Sequence, residues 1–174
     1  MSKKPLIIST DPGIDDIAAM TISLFADELD VKMIVPTWGN VSLAHTLQNT
    51  LDLENFLHTK VPVVKGANQP LVRPAISAAS VHGETGIAGF ELEKANDDLL
   101  EPGLAATKMY EIIKNSPEKV TLLGVGPLTD FALLFKQYPD VVKNIAEVYI
   151  MGGNIGHGNH SPFAEYNIAG DPEA

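Results

Sequence analysis

In Pro5-Leu6-Ile7-Ile8-Ser9-Thr10-Asp11-Pro12-Gly13-Ile14-Asp15-Asp16 an unbroken apolar run meets a proline, a glycine and three aspartates. The run from Pro5 to Thr10 lacks polar alternation, as expected of a central parallel strand covered on both faces. Beyond it Ile17, Met20, Leu24 and Phe25 recur at helical spacing, and Asp15 and Asp16 open the first turn, where the helix dipole favours acids. The strand hands over to the helix through Asp11-Pro12-Gly13, so Asp11, Asp15 and Asp16 fall within one small loop. Three like charges so close need compensation. A divalent cation would supply it, and oxygen donors without sulfur suit Ca²⁺ or Mg²⁺ rather than Zn²⁺, with calcium the better match. A plainer reading is that Asp15 and Asp16 stabilise a helix N-terminus while Asp11 caps a turn.

Outward from this loop the alternation repeats. A strand near Val31–Pro36 precedes a helix carrying Leu43, Leu47, Leu51 and Leu57, then a strand near Val61–Lys65. After a long Gly- and Pro-bearing stretch, residues 66–102, come a helix with Leu104, Met109, Ile112 and Ile113, a strand Val120–Val125, a short helix after Pro127 and a strand Val148–Met151. Strands alternating with helices predict an open, mostly parallel, Rossmann-like α/β sheet with helices on both faces, in a single domain over residues 1–174. In such sheets ligands bind beyond the carboxyl ends of the strands, where Asp11, Asn40, Gly126 and Asn154 collect. The 66–102 stretch is too long for a plain connection and reads as a binding loop centred on Val81-His82-Gly83-Glu84-Thr85-Gly86. At the end, Asp171-Pro172-Glu173 carries the signals of a helix start just before Ala174, which reads as a truncated chain.

The 174 residues are 45% hydrophobic and 20% charged, with a formal net charge of -10, so a nucleic-acid backbone or an anionic membrane would be repelled at long range. A cation or a neutral small molecule fits better. With 0 cysteines there is no disulfide framework, thiolate nucleophile or zinc-thiolate site, which suits a reducing cytoplasm. The basic start Met1-Ser2-Lys3-Lys4-Pro5 is followed by too short an apolar run for an export signal, and no stretch is long enough for a membrane span.

The run Asp11-Pro12-Gly13-Ile14-Asp15-Asp16 before a helix resembles the N-terminal signature of the inosine-uridine-preferring nucleoside hydrolases. Other segments agree in order: Thr37-Trp38-Gly39-Asn40-Val41, Val81-His82-Gly83-Glu84, Gly124-Val125-Gly126-Pro127-Leu128-Thr129, Met151-Gly152-Gly153, Pro162-Phe163-Ala164-Glu165-Tyr166-Asn167-Ile168 and Asp171-Pro172-Glu173-Ala174. Departures are Trp38 where alanine is more usual, Val125 where threonine often stands, and Asp130 in place of a common asparagine.

The resemblance implies that Asp11 and Asp16 bind Ca²⁺ with the carbonyl of Val125, and that Asp11 takes the proton from a calcium-bound water as catalytic base. It places Asp15, Asn159, Glu165 and Asn167 on the ribose hydroxyls, and Asn40, His82, Met151 and Tyr166 around the sugar or base. The implied reaction is hydrolysis of the N-glycosidic bond of a small-molecule ribonucleoside to free base and ribose, in purine and pyrimidine salvage. Family members continue beyond this length, with a later histidine and aspartate that would complete the acid and the ligand set. A chain without them is also readable as an inactive remnant. Uncovered apolar surface beside an unfinished sheet predicts association, including homo-oligomers. A haloacid-dehalogenase-type phosphatase, the other reading of an aspartate after a first strand, needs a second aspartate where Gly13 stands.

Overall fold

The computed structural model describes residues 3–174; Met1 and Ser2 of the basic start lie outside the described residues. The strands are β1 (Lys4–Thr10), β2 (Leu29–Pro36), β3 (Val63–Val64), β4 (Leu100–Glu101), β5 (Val120–Gly124) and β6 (Ile145–Ile150). The helices are α1 (Ile14–Phe25), α2 (Leu43–Leu57), α3 (Ala79–His82), α4 (Ala105–Asn115), α5 (Thr129–Gln137) and α6 (Tyr166–Gly170), with a 3₁₀ turn over Pro139–Asn144. All five pairings between these strands are parallel, in the order β4-β3-β2-β1-β5-β6.

This order explains where a ligand can enter. From β1 the chain builds outward through β2, β3 and β4, then returns to the other side of β1 with β5. The two directions separate at β1 and β5, and a crevice opens beyond the carboxyl ends of strands where the order reverses. Asp11 leaves β1 and Val125 leaves β5 at that point.

Alternation along β2 divides the core in two. Met33 and Val35 pack with Ile7, Met109, Ile113, Leu122 and Leu134 beneath α4 and α5, while Ile34 packs with Met20 and Leu53 beneath α1 and α2. Helices therefore cover both faces, as expected. Each fully buried Ile, Leu or Met contributes roughly 1.5–3 kcal/mol by leaving water, which holds the strand ends in register. At the outer edge, Val148, Tyr149 and Ile150 of β6 and Met151 just after it are between 44% and 54% exposed. Among the described residues no helix is long and apolar enough to cross a membrane.

Several boundaries differ from the sequence reading. Residues 66–102 hold the short helix α3 and the two-residue strand β4. The third strand shrinks to Val63–Val64, and the last begins at Ile145 rather than Val148. No helix starts at Asp171. The residue instead follows α6, its carboxylate accepts from the Leu71 N–H and the Thr129 hydroxyl, and only a turn closed by the Ala174 N–H on the Asp171 carbonyl follows.

Candidate functional site

Every residue that the family resemblance assigned to the metal, ribose or base lines one open cavity of about 230 Å³ at the switch point: Asp11, Asp15 and Asp16 from the β1 exit, Asn40 from the β2 exit, His82 from α3, Val125 from the β5 exit, and Met151, Asn159, Glu165, Tyr166 and Asn167 from the last segment. Ala78 and Val81 complete the wall. Neither was assigned a role from sequence, because an alanine and a valine carry no chemical signal, although Val81 opens the Val81-His82-Gly83-Glu84 motif. Asn154 stands apart from the cavity; it is exposed and its amide donates to the Gly156 carbonyl.

The aspartate loop is tightly held. Asp11 is 1% exposed, and its Oδ2 accepts the Asn40 N–H at 2.7 Å, while the Asn40 amide donates to the Asp11 carbonyl at 2.9 Å. Gly39 and Gly126 flank this carboxylate so closely that a methyl on either would overlap it. Gly39 also sits at φ +159, on the border of what side chains adopt. Asp16 is 3% exposed and accepts the Thr10 hydroxyl at 2.8 Å and the Gly13 N–H at 3.1 Å. The plainer reading of Asp16 thus also holds, since Gly13 caps α1 and Asp16 satisfies its free N–H. Asp15 is exposed at the cavity mouth.

Burial, and then the charge of Asp16, pushes the Asp11 carboxyl well above the usual range; burial likewise raises Asp16. Two desolvated carboxylates on one loop form an electrostatic demand for a cation. The donor set fits a hard one, with two carboxylates and Val125 lining one cavity and neither sulfur nor paired imidazoles. The Val125 carbonyl accepts the Asn167 amide at 2.8 Å, which leaves its second lone pair free. Among the described residues no group of three or more His, Asp or Glu side chains is arranged to hold a metal.

Glu165 and Asn167 reach the cavity by a route the sequence did not indicate. An extended chain would put residues two apart on one side, but here Glu165 caps α6 and Asn167 lies within it. The Glu165 carboxylate accepts the N–H groups of Asn167 and Ile168, each at 3.0 Å, and the Asn167 amide spans the carbonyls of Val125 and Met151. Asn159 Oδ1 accepts the Tyr166 N–H at 2.8 Å, a turn-forming bond, although the residue also lines the cavity. Burial, then the Asp11 charge, pushes the Tyr166 phenol up to about 12, which keeps its O–H as a donor. The His82 Nδ1 is buried without a partner against Gly13, whose missing side chain lets the ring and Asn40 approach. His45 and His58 line no part of this cavity.

Comparison with known proteins bears on the family and the fold. The family model described as inosine-uridine preferring nucleoside hydrolase matches residues 6–174. The chain is 47% identical over 171 residues to the non-specific ribonucleoside hydrolase RihC of Klebsiella pneumoniae subsp. pneumoniae, covering 98% of this chain and 56% of that protein. It is 45% identical to RihC of Salmonella agona, covering 97% and 55%. Among solved structures, a purine-preferring ribonucleoside hydrolase from Gardnerella vaginalis superposes with a TM-score of 0.92 at 28% identity, covering 98% of this chain and 55% of that one. A plant nucleoside hydrolase, PpNRh1, gives 0.88 at 32% identity, covering 98% and 54%. The chain thus spans a little over half the length of the relatives it matches. The aspartate loop at the β1 exit, the ordered motifs around it and a match over almost the whole sequence lead to one conclusion: the chain belongs to the inosine-uridine preferring nucleoside hydrolase family.

Proposed function

We propose that this chain carries the cation- and ribose-binding half of a nucleoside hydrolase site and acts in cleaving the N-glycosidic bond of ribonucleosides to free base and ribose. The observation that carries this reading is the pair of buried carboxylates, Asp11 and Asp16, in one cavity with the Val125 carbonyl and the polar groups of Asp15, Glu165 and Asn167. Asp11, Asp16 and Val125 would hold Ca²⁺, and a bound calcium supplies a more acidic water. Asp11, which borders the cavity from the β1 exit, accepts the proton of the attacking water. Asp15, Asn159, Glu165 and Asn167 orient the ribose hydroxyls, while Asn40, His82, Met151 and Tyr166 border the sugar and base. The acidic wall favours the positive charge that develops on the sugar as the base departs. Working on a free nucleoside, a cysteine-free protein of this kind suits base salvage in a reducing cytoplasm. The exposed β6 edge is the surface through which copies would associate.

The test is release of ribose from inosine and uridine by the purified chain with calcium. Turnover that Asp11→Ala abolishes supports the reading. Turnover in Asp11→Ala near that of the starting protein would refute the role of Asp11, and neither turnover nor calcium binding by the starting chain would sink the proposal. A second reading, a chain that binds but does not turn over, is favoured by one observation. Two carboxylates and a carbonyl are fewer than the six to eight oxygens calcium takes, and among the described residues no third His, Asp or Glu side chain joins them. Calcium and inosine binding without ribose release would select it.

A further inference from the structure

We propose that Trp38, Thr129 and Asp171 form a buried strut that positions α6 against the β2 and β5 exits, making all three positioning residues for the ribonucleoside pocket; this rests on the functional reading above. Trp38 is 1% exposed and follows directly on the β2 exit. Its indole N–H donates to Thr129 Oγ1 at 3.1 Å, and the Thr129 hydroxyl donates to Asp171 Oδ2 at 2.6 Å. A hydroxyl has one hydrogen, so the direction from tryptophan through threonine to carboxylate is fixed. The second bond is short because its acceptor is a carboxylate. Asp171 Oδ2 also takes the Leu71 N–H at 3.0 Å, while Oδ1 is buried without a partner, so the carboxylate is committed to this junction through one oxygen.

What the strut joins gives it its role. Trp38 precedes Gly39 and Asn40, which border and bond Asp11. Thr129 opens α5 just after the turn that presents the Val125 carbonyl. Asp171 closes α6, which carries Tyr166 and Asn167. Three pocket walls therefore meet at two hydrogen bonds. A helix of five residues has little stability of its own, so α6 depends on its ends. Its first turn is held by the Glu165 carboxylate and by the Asn167 amide on Val125 and Met151. At its last turn Gly170 packs on the Trp38 ring, where a methyl would stand 3.0 Å from Cη2, and Asp171 takes the Thr129 hydroxyl.

Thr129→Val keeps the shape and removes both bonds; Thr129→Ser restores the hydroxyl; Trp38→Phe keeps a ring and drops the N–H. With inosine and calcium, Thr129→Val is expected to raise KM about tenfold with kcat changed less than about threefold, since ribose contacts act in both the ground and the transition state. Thr129→Ser should return KM to the starting value, and Trp38→Phe should fall between. Trp38 is the sole tryptophan, so its emission should shift to the red in Thr129→Val. Amide exchange at Asn167 and Ile168 should quicken in the same variant while β1 stays protected. An unchanged KM with unchanged α6 exchange overturns the proposal, even if thermal stability drops. Should the starting chain neither bind nor cleave inosine, the functional reading fails by itself. The exchange measurement then decides the strut, upheld by faster α6 exchange and overturned by none.

Discussion

Asn40 grips Asp11 twice, donating its backbone N–H to the carboxylate at 2.7 Å and its side-chain amide to the Asp11 carbonyl at 2.9 Å. The same amide reaches Asp16 Oδ2 at 3.3 Å, so one residue of the β2 exit fixes both acids of the β1 exit. Asn40→Ala keeps the backbone bond and removes the amide. It leaves a buried carbonyl unpaired and should cost about 1–3 kcal/mol in urea unfolding, with weaker calcium binding. Stability and affinity both equal to the starting protein would show that the grip is incidental.

The glycines beside Asp11 make a second expectation. A methyl at Gly126 overlaps the carboxylate itself, not the far end of a flexible chain, and the turn it belongs to also presents Val125. Gly126→Ala should therefore displace Asp11 and weaken calcium binding by at least about tenfold, a change of about 1.4 kcal/mol, in calorimetric titration. Circular dichroism should show the sheet retained. Undiminished affinity would mean that the turn yields and the cradle is not shaped for this carboxylate.

Much of this was legible in sequence, for identifiable reasons. Strand β1, buried from Pro5 to Thr10, reads as an apolar run without alternation, and Asp-Pro-Gly leaves little choice about the turn that follows. What escaped depends on distant partners. Strand β4 is two residues long and exists because Val63 and Val64 offer it an edge. Asp171 carries a helix-start signal, yet Thr129 and Leu71 claim its carboxylate first. Glu165 and Asn167 were placed at the site, but their capping geometry follows from the carbonyls of Val125 and Met151, which no local pattern announces.

Asp130 provides a pH test away from the cation loop. It is 2% exposed, both its oxygens accept the Ala67 N–H, and burial pushes its carboxyl up to about 6 from an ordinary 3.8. The folded state therefore holds the proton more tightly than the unfolded chain. No penalty exists below the unfolded value, and stability is lost as pH rises from about 4 to about 6. Asp130→Asn cannot titrate. Its stability relative to the starting protein should improve by something on the order of 3 kcal/mol between pH 4 and pH 7, read from urea midpoints. A difference that stays flat across that range would refute the assignment.

Calcium itself should act on stability. Without a cation, the folded chain keeps Asp11 and Asp16 desolvated and near each other, a cost the unfolded chain does not carry. A ligand that binds only the folded state adds about 2.7 kcal/mol at a hundred times its dissociation constant. For a chain of this size that corresponds to a rise in Tm of roughly 5–10 °C. Asp11→Asn removes one of the two charges, so it should start from a higher Tm than the parent in chelator and gain little from calcium. Magnesium, which demands tighter octahedral geometry and gives up its waters reluctantly, should shift the parent less. Equal calcium shifts in the parent and in Asp11→Asn would place the cation elsewhere and remove the loop from the site.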